Sequence, residues 1–257
     1  MPAISFRDAA QDRGAQRLAV SVGVHLALAG MVLIVSAYEV AREAGLGSGY
    51  VYASAAWGIA VAVVIIFNLR HHLPRTRFGP ANRVTLLRGV PVALIGGAIG
   101  LVDASSFDGW VLFAAAVSIL LLDGADGWVA RRTGSSSPFG ARFDWELDAL
   151  FLVILSLLVY DMGKVGAWVL AIGGLRYLFV MAWLLWPHLS AEMPESNRRK
   201  AVCVVQGLAL IICLLPVVGH VPGSVIAGGA LVALCYSFIV DIAWLNRNAR
   251  VGWHAER

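Results

Sequence analysis

An all-α fold, a polytopic bundle of membrane-spanning helices, is predicted by three features of the sequence. Of the 257 residues, 59% are apolar and only 14% charged, with a mean hydropathy of +0.76, a balance that water-soluble domains do not have. The apolar residues gather into eight runs, each long enough to cross about 30 Å of hydrocarbon at about 1.5 Å per residue. The basic residues fall almost entirely into every second gap between those runs.

The first run, 18–38, follows MPAISFRDAAQDRGAQR. That flank is basic like a signal peptide, but the run is about twenty residues long and has no small-x-small cleavage site, so a retained helix is expected. The second run, 50–69, leads into RHHLPRTRFGPANR, residues 70–83, where Pro74, Gly79 and Pro80 make a joint. His71 and His72 in this joint read as a solvated, interfacial pair, because no third metal ligand is near them in sequence. Runs three to eight follow at 84–102, 109–130, 143–161, 164–187, 201–218 and 222–245. Between the fourth and fifth, TGSSSPFG holds Gly134, Pro138 and Gly140 and predicts a sharp turn. Cys203, Cys213 and Cys235 lie inside apolar runs without CxxC spacing, which predicts buried free thiols and neither disulfides nor a zinc site. The expected division is an extension with two helices over 1–79, a six-helix core over 80–246 and a tail over 247–257.

If the N-terminus is cytoplasmic, one face of the membrane receives sixteen basic residues, from Arg7 to Arg257, and the other only Arg42 and Lys164. Positive charge collects on the cytoplasmic side of membrane proteins, so both termini are expected inside, at a bacterial cytoplasmic membrane. The partner that this composition implies is a lipid bilayer; no nucleic-acid partner is expected.

Four acids break the pattern. Asp123 and Asp126 fall in the last turns of the fourth run, and Asp144 and Asp148 in the first turns of the fifth, at the same membrane face. Spacings of three and four put each pair on one side of its helix. The turn between the runs then lets the two pairs converge. Two like charges about 4 Å apart repel by about 4 kcal/mol at an effective dielectric near 20, so the group needs protons or cations. An all-oxygen set suits Mg²⁺ or Mn²⁺ better than zinc. A cation transporter using these acids as an ion site is the reading from another class, but helices broken near the bilayer midplane are not evident.

Asp123-x-x-Asp126-Gly127-x-x-Ala130-Arg131, then eight residues, then Gly140-x-x-x-Asp144-x-x-x-Asp148 resembles without a gap the signature of the CDP-alcohol phosphotransferases. Upstream, Asn82-x-x-Thr85-x-x-Arg88 is similar to the stretch before the first core helix of many members. The resemblance covers about 80–245 and leaves the first two spans without a functional account. It implies an enzyme of phospholipid synthesis that moves the phosphate-bearing group of a CDP-linked lipid donor, CDP-diacylglycerol, onto a small alcohol and releases CMP. It implies one or two divalent ions on Asp123, Asp126, Asp144 and Asp148, with Asp148 also the general base for the acceptor hydroxyl. The donor would meet Asn82, Thr85, Arg88, Gly127, Ala130, Arg131 and Gly140, the glycines admitting the nucleotide closely. A homodimer is also implied.

The acceptor is read from charge. A phosphorylated alcohol such as glycerol phosphate or inositol phosphate favours a basic pocket, towards which Arg176, Arg198, Arg199 and Lys200 lean, with Arg176, Arg199 and Lys200 the acceptor-binding candidates. Choline would favour an aromatic cage, for which only Trp128 and Trp145 flank the motif; serine is the other non-phosphorylated alternative.

Overall fold

A computed structural model describes residues 3–72, 76–101, 109–132, 137–185 and 196–255. Among them are eight α-helices and no strand: α1 (Ala3–Glu43), α2 (Ser48–Asn68), α3 (Pro80–Gly97), α4 (Gly109–Arg132), α5 (Pro138–Asp161), α6 (Leu170–Leu185), α7 (Asn197–Cys213) and α8 (His220–Ala255). The all-α expectation and the eight elements are met. Their ends shift: at the start of α1 and the end of α8 the helix continues past its apolar run into charged sequence. Gly14–Glu43, Ser48–Asn68 and His220–Leu245 are long and apolar enough to cross a membrane on composition alone. The apolar stretches Gly109–Gly124 and Ala167–Leu178 are shorter. A helix that packs on protein along one side needs less apolar surface than one that meets lipid all round.

The chain forms two compact units, Met1–Phe151 and Leu152–Arg257. This division by compactness cuts α5, whereas the family resemblance divides the chain at residue 80. In the first unit α3 packs against α1, α2 and α4. Its seam with α2 is made by small residues. A methyl group on Gly96 would stand 2.6 Å from the Trp57 ring, and one on Gly97 would overlap the Ser54 hydroxyl. The Tyr50 hydroxyl donates to the Leu94 carbonyl at 2.9 Å across the same seam. Gly79, at φ +84°, turns the chain into α3, and Pro80 starts the helix where no amide donor is needed.

Beneath the first turns of α3 and α5 lies an aromatic cluster. Phe78, Phe139 and Phe143 are fully buried, with Phe78 and Phe139 ring centroids 6.1 Å apart. His72 joins them edge-on to Phe139 at 4.8 Å and meets the Arg77 carbonyl through Nε2 at 2.8 Å. His72 is thus buried rather than solvated, because it packs against Phe139; the side chain of His71 lies outside the described residues.

In the second unit, α6 lies hard against the end of α5. A methyl on Gly173 would come within 2.6 Å of the Val153 backbone. The α7 helix packs on α8. Lys164 Nζ donates to the carbonyls of Val218 at 2.7 Å and of Leu215 and Pro216 at 3.3 Å. A cation placed there satisfies carbonyls just past the end of α7. The cysteines are free, as expected, but only Cys213 is buried; Cys203 and Cys235 are on outer helix surfaces.

Candidate active site

Three helices of the first unit bring the acids together. Asp123 stands on α4, and Asp144 and Asp148, one turn apart, on α5. One carboxylate oxygen from each lies within 4.8 Å of the other two. The side chains are each about a third exposed, at 36%, 33% and 31%, so the group opens to solvent rather than being sealed in the core. Asp126 is on α4, but its side chain lies outside the described residues, as do those of Ala130 and Arg131 and the surroundings of Gly127. Residues 133–136 of the expected turn are outside them too.

Arg88 of α3 reaches into the acidic group. Its guanidinium is 2% exposed. One Nη donates to Asp123 and the other to Asp144, and the first also lies 3.2 Å from Asp148. Sequence reasoning placed Arg88 near the donor; here it engages the carboxylates themselves. A fixed guanidinium fork against three acids offsets part of the repulsion that the sequence alone made evident.

The neighbouring candidates turn inward. Asn82 is buried, and its Nδ2 donates to the Phe78 carbonyl. Thr85 Oγ1 donates to the Ala81 carbonyl at 3.2 Å. A methyl on Gly140 would sit 2.7 Å from the Asn82 amide oxygen. The space beside Gly140 is therefore filled by Asn82, which draws the starts of α3 and α5 together.

The donor set is oxygen only, with no His or Cys in the described group. That chemistry, with oxygens this close and open to solvent, fits a hard divalent cation such as Mg²⁺ or Mn²⁺. Asp123, Asp144 and Asp148 are the described residues able to hold it.

The basic candidates belong to the second unit. Arg176 is half-buried on α6, and Arg199 and Lys200 are in the first turn of α7. An acid that sequence reasoning passed over organises this turn. Asp241 of α8, 12% exposed at its side chain, accepts from Arg198 at 2.5 Å and lies 3.5 Å from Arg199. Arg198 also donates to the Ser237 carbonyl at 2.6 Å and to its hydroxyl at 2.5 Å. The available signal was one acid in the otherwise apolar SFIVDIAW.

Fold and site together describe a helical membrane protein with an acidic centre where helices converge. The chain belongs to the CDP-alcohol phosphatidyltransferase family, whose model matches residues 78–240. It is similar to an uncharacterised class-I member of that family from Schizosaccharomyces pombe, 31% identical over 87 residues, which are 32% of this chain and 22% of that protein. It is also similar to choline/ethanolaminephosphotransferase 2 of Arabidopsis thaliana, 30% identical over 144 residues, 52% of this chain and 35% of that protein. The aligned part is thus about a fifth to a third of these relatives' length. No solved structure is similar enough to count as a match.

Proposed function

We propose that the protein is a membrane CDP-alcohol phosphatidyltransferase that moves the phosphatidyl group of CDP-diacylglycerol to a small phosphorylated alcohol and releases CMP. The observation that carries this reading is the convergence of Asp123, Asp144 and Asp148, all from the family signature, within one group of oxygens. In the reaction the acceptor hydroxyl oxygen bonds to the phosphorus next to the lipid, the bond from that phosphorus to the CMP oxygen breaks, and the hydroxyl proton goes to Asp148. Asp123, Asp126, Asp144 and Asp148 would hold Mg²⁺ or Mn²⁺, which when bound would supply positive charge against the diphosphate and the CMP leaving group. Asn82 and Thr85 would shape the wall beside the nucleotide, and Arg88 would hold the acids together at a fixed spacing. Gly127 and Ala130 would leave room for the donor, Gly140 would admit Asn82 to the wall beside it, and Arg131 would offer a planar fork to its phosphates.

The test is metal-dependent CMP release from CDP-diacylglycerol, run against a panel of radiolabelled glycerol phosphate, inositol phosphate, choline and serine. A second reading is favoured by the Arabidopsis relative's name: phosphocholine or phosphoethanolamine moves from its CDP derivative to diacylglycerol. CDP-choline consumption that depends on diacylglycerol would select it.

Arg176, Arg199 and Lys200 form the acceptor-phosphate pocket in this proposal. Arg176 stands within an apolar helix, where an arginine facing lipid costs about 2.5–3.5 kcal/mol on insertion scales, so it faces protein or a polar cavity. Arg176→Ala is expected to raise the acceptor KM about tenfold or more and to change the CDP-donor KM little. Equal losses for both substrates would assign Arg176 a structural role, and unchanged kinetics would remove the phosphate pocket.

The same proposal sets both termini and the acids on the cytoplasmic side. Single cysteines near Gly47 and near Ser136 should then label from opposite sides of sealed vesicles; labelling from one side overturns the topology. The homodimer implied by family resemblance is checked by light scattering in detergent, where a monomer mass would refute it.

A further inference from the structure

Two rows of side chains lie next to each other along α5. Asp144 and Asp148 follow Gly140 at intervals of four, and Phe139, Phe143 and Leu147 repeat that interval one residue earlier. One residue is a rotation of about 100° about a helix axis, so whatever fixes the second row also fixes where the acids point. All of the second row is buried. Phe143 meets Phe78 with ring centroids 6.5 Å apart, and Leu147 lies 3.9 Å from where a methyl on Gly89 of α3 would stand, beside Arg88.

Phe139 is the second residue of α5, a first-turn position, yet it is fully buried. Its cover comes from outside the helix: Phe78 at 6.1 Å between centroids and, closer, the His72 ring at 4.8 Å. His72 is itself 2% exposed. The Arg77 carbonyl accepts, so His72 Nε2 carries the proton and donates it across 2.8 Å. Its Nδ1 is buried with no hydrogen-bond partner among the described residues. A buried nitrogen without a partner costs free energy, and an apolar side chain in the same space would avoid that cost. The imidazole offsets it by doing two things at once. It packs on the start of α5 and ties down the chain at Arg77, one residue before Phe78.

We infer that His72 is a positioning residue for the acidic centre: its ring, through Phe139, sets the rotation of α5 against α3 and thereby the aim of Asp144 and Asp148. The inference rests on the reading of these acids as a metal site and is independent of which alcohol reacts there. Phe139 precedes Asp144 by five residues, about 7.5 Å along the axis, so the effect passes through the helix as a rigid body. A rotation of about 10° moves an atom on the helix surface, about 5–6 Å from the axis, by about 1 Å. Mg²⁺ demands oxygens at about 2.0–2.1 Å in a near-octahedral array, so such a shift matters to a metal far more than to packing.

The full chain in detergent would be titrated with Mn²⁺, the free ion being read by electron paramagnetic resonance, and its thermal unfolding followed separately in chelator. His72→Ala should weaken Mn²⁺ binding about tenfold or more, as removal of groups that orient metal ligands does. His72→Phe keeps a ring against Phe139 and should recover most of that affinity. Tyr50→Phe is the control: it removes the hydrogen bond to the Leu94 carbonyl, six residues beyond Arg88 on α3, and should lower the unfolding temperature while leaving Mn²⁺ affinity unchanged. Should His72→Ala not fold, His72→Gln, which keeps a donor for Arg77, should weaken Mn²⁺ in the same direction by a smaller factor. Unchanged Mn²⁺ affinity in the folded His72 variants, whatever their stability, overturns the positioning role and leaves the metal site standing. No recovery in His72→Phe overturns it as well. No Mn²⁺ binding by the unaltered protein, or binding undiminished by Asp144→Asn, refutes the metal site, and the role of His72 falls with it.

Discussion

Asp148→Asn is expected to lower turnover about 10²–10⁴-fold, the range that a positioned general base contributes, while metal-dependent nucleotide binding is largely retained. The geometry separates Asp148 from its neighbours. Asp123 and Asp144 each take a close contact from a different Nη of Arg88, whereas Asp148 is 3.2 Å from the nearest one. Its 3.2 Å contact is the longest of the three, and its side chain is 31% exposed. An incoming hydroxyl can therefore reach it. Amide replacement keeps the shape and removes the proton acceptor, so binding and turnover should part. Turnover near that of the unaltered protein would remove Asp148 as the base.

Arg88→Met should destabilise the protein in the presence of a chelator, by about 1–3 kcal/mol given that its partners are partly solvated. Much of that loss should return when Mg²⁺ or Mn²⁺ is added. Without the guanidinium, three carboxylates with oxygens within 4.8 Å face one another unneutralised; at an effective dielectric near 20 each pair at that separation repels by about 3 kcal/mol. A divalent ion replaces the missing charge. Thermal unfolding in detergent, with chelator and with metal, measures both arms. A melting temperature insensitive to metal, together with a raised KM for the CDP donor, would return Arg88 to the simple donor contact that its sequence motif suggested.

These two residues mark where sequence reading succeeded and where it stopped. The acids were legible because their spacing of three and four is a local helical property, and because carboxylates in apolar runs stand out against lipid. The helices were legible for the same reason: a bilayer demands long apolar runs, so α2 at Ser48–Asn68 lies almost where the run 50–69 predicted it. Partners across helices were not legible. Arg88 is 35 residues from Asp123 and 56 from Asp144, and Asp241 is 43 from Arg198. No periodicity connects positions so far apart. His72 failed likewise, since its burial depends on Phe139, which reaches it only after α5 has docked.

The glycine seam between α2 and α3 has a consequence for how the chain enters the membrane. Helices leave the ribosome in order, so α1 and α2 are available before α3 is made. As a free segment α3 is a poor candidate for insertion, with Asn82, Arg83, Arg88 and Pro91 within 18 residues. The waiting pair offers it Trp57 and Ser54, against which Gly96 and Gly97 fit without a side chain in the way. The two helices that precede the family domain thus stand as a docking template for its first helix. With Gly96 and Gly97 seated on that pair, α3 would carry Arg88 in place ahead of the acids of α4 and α5, which are translated later.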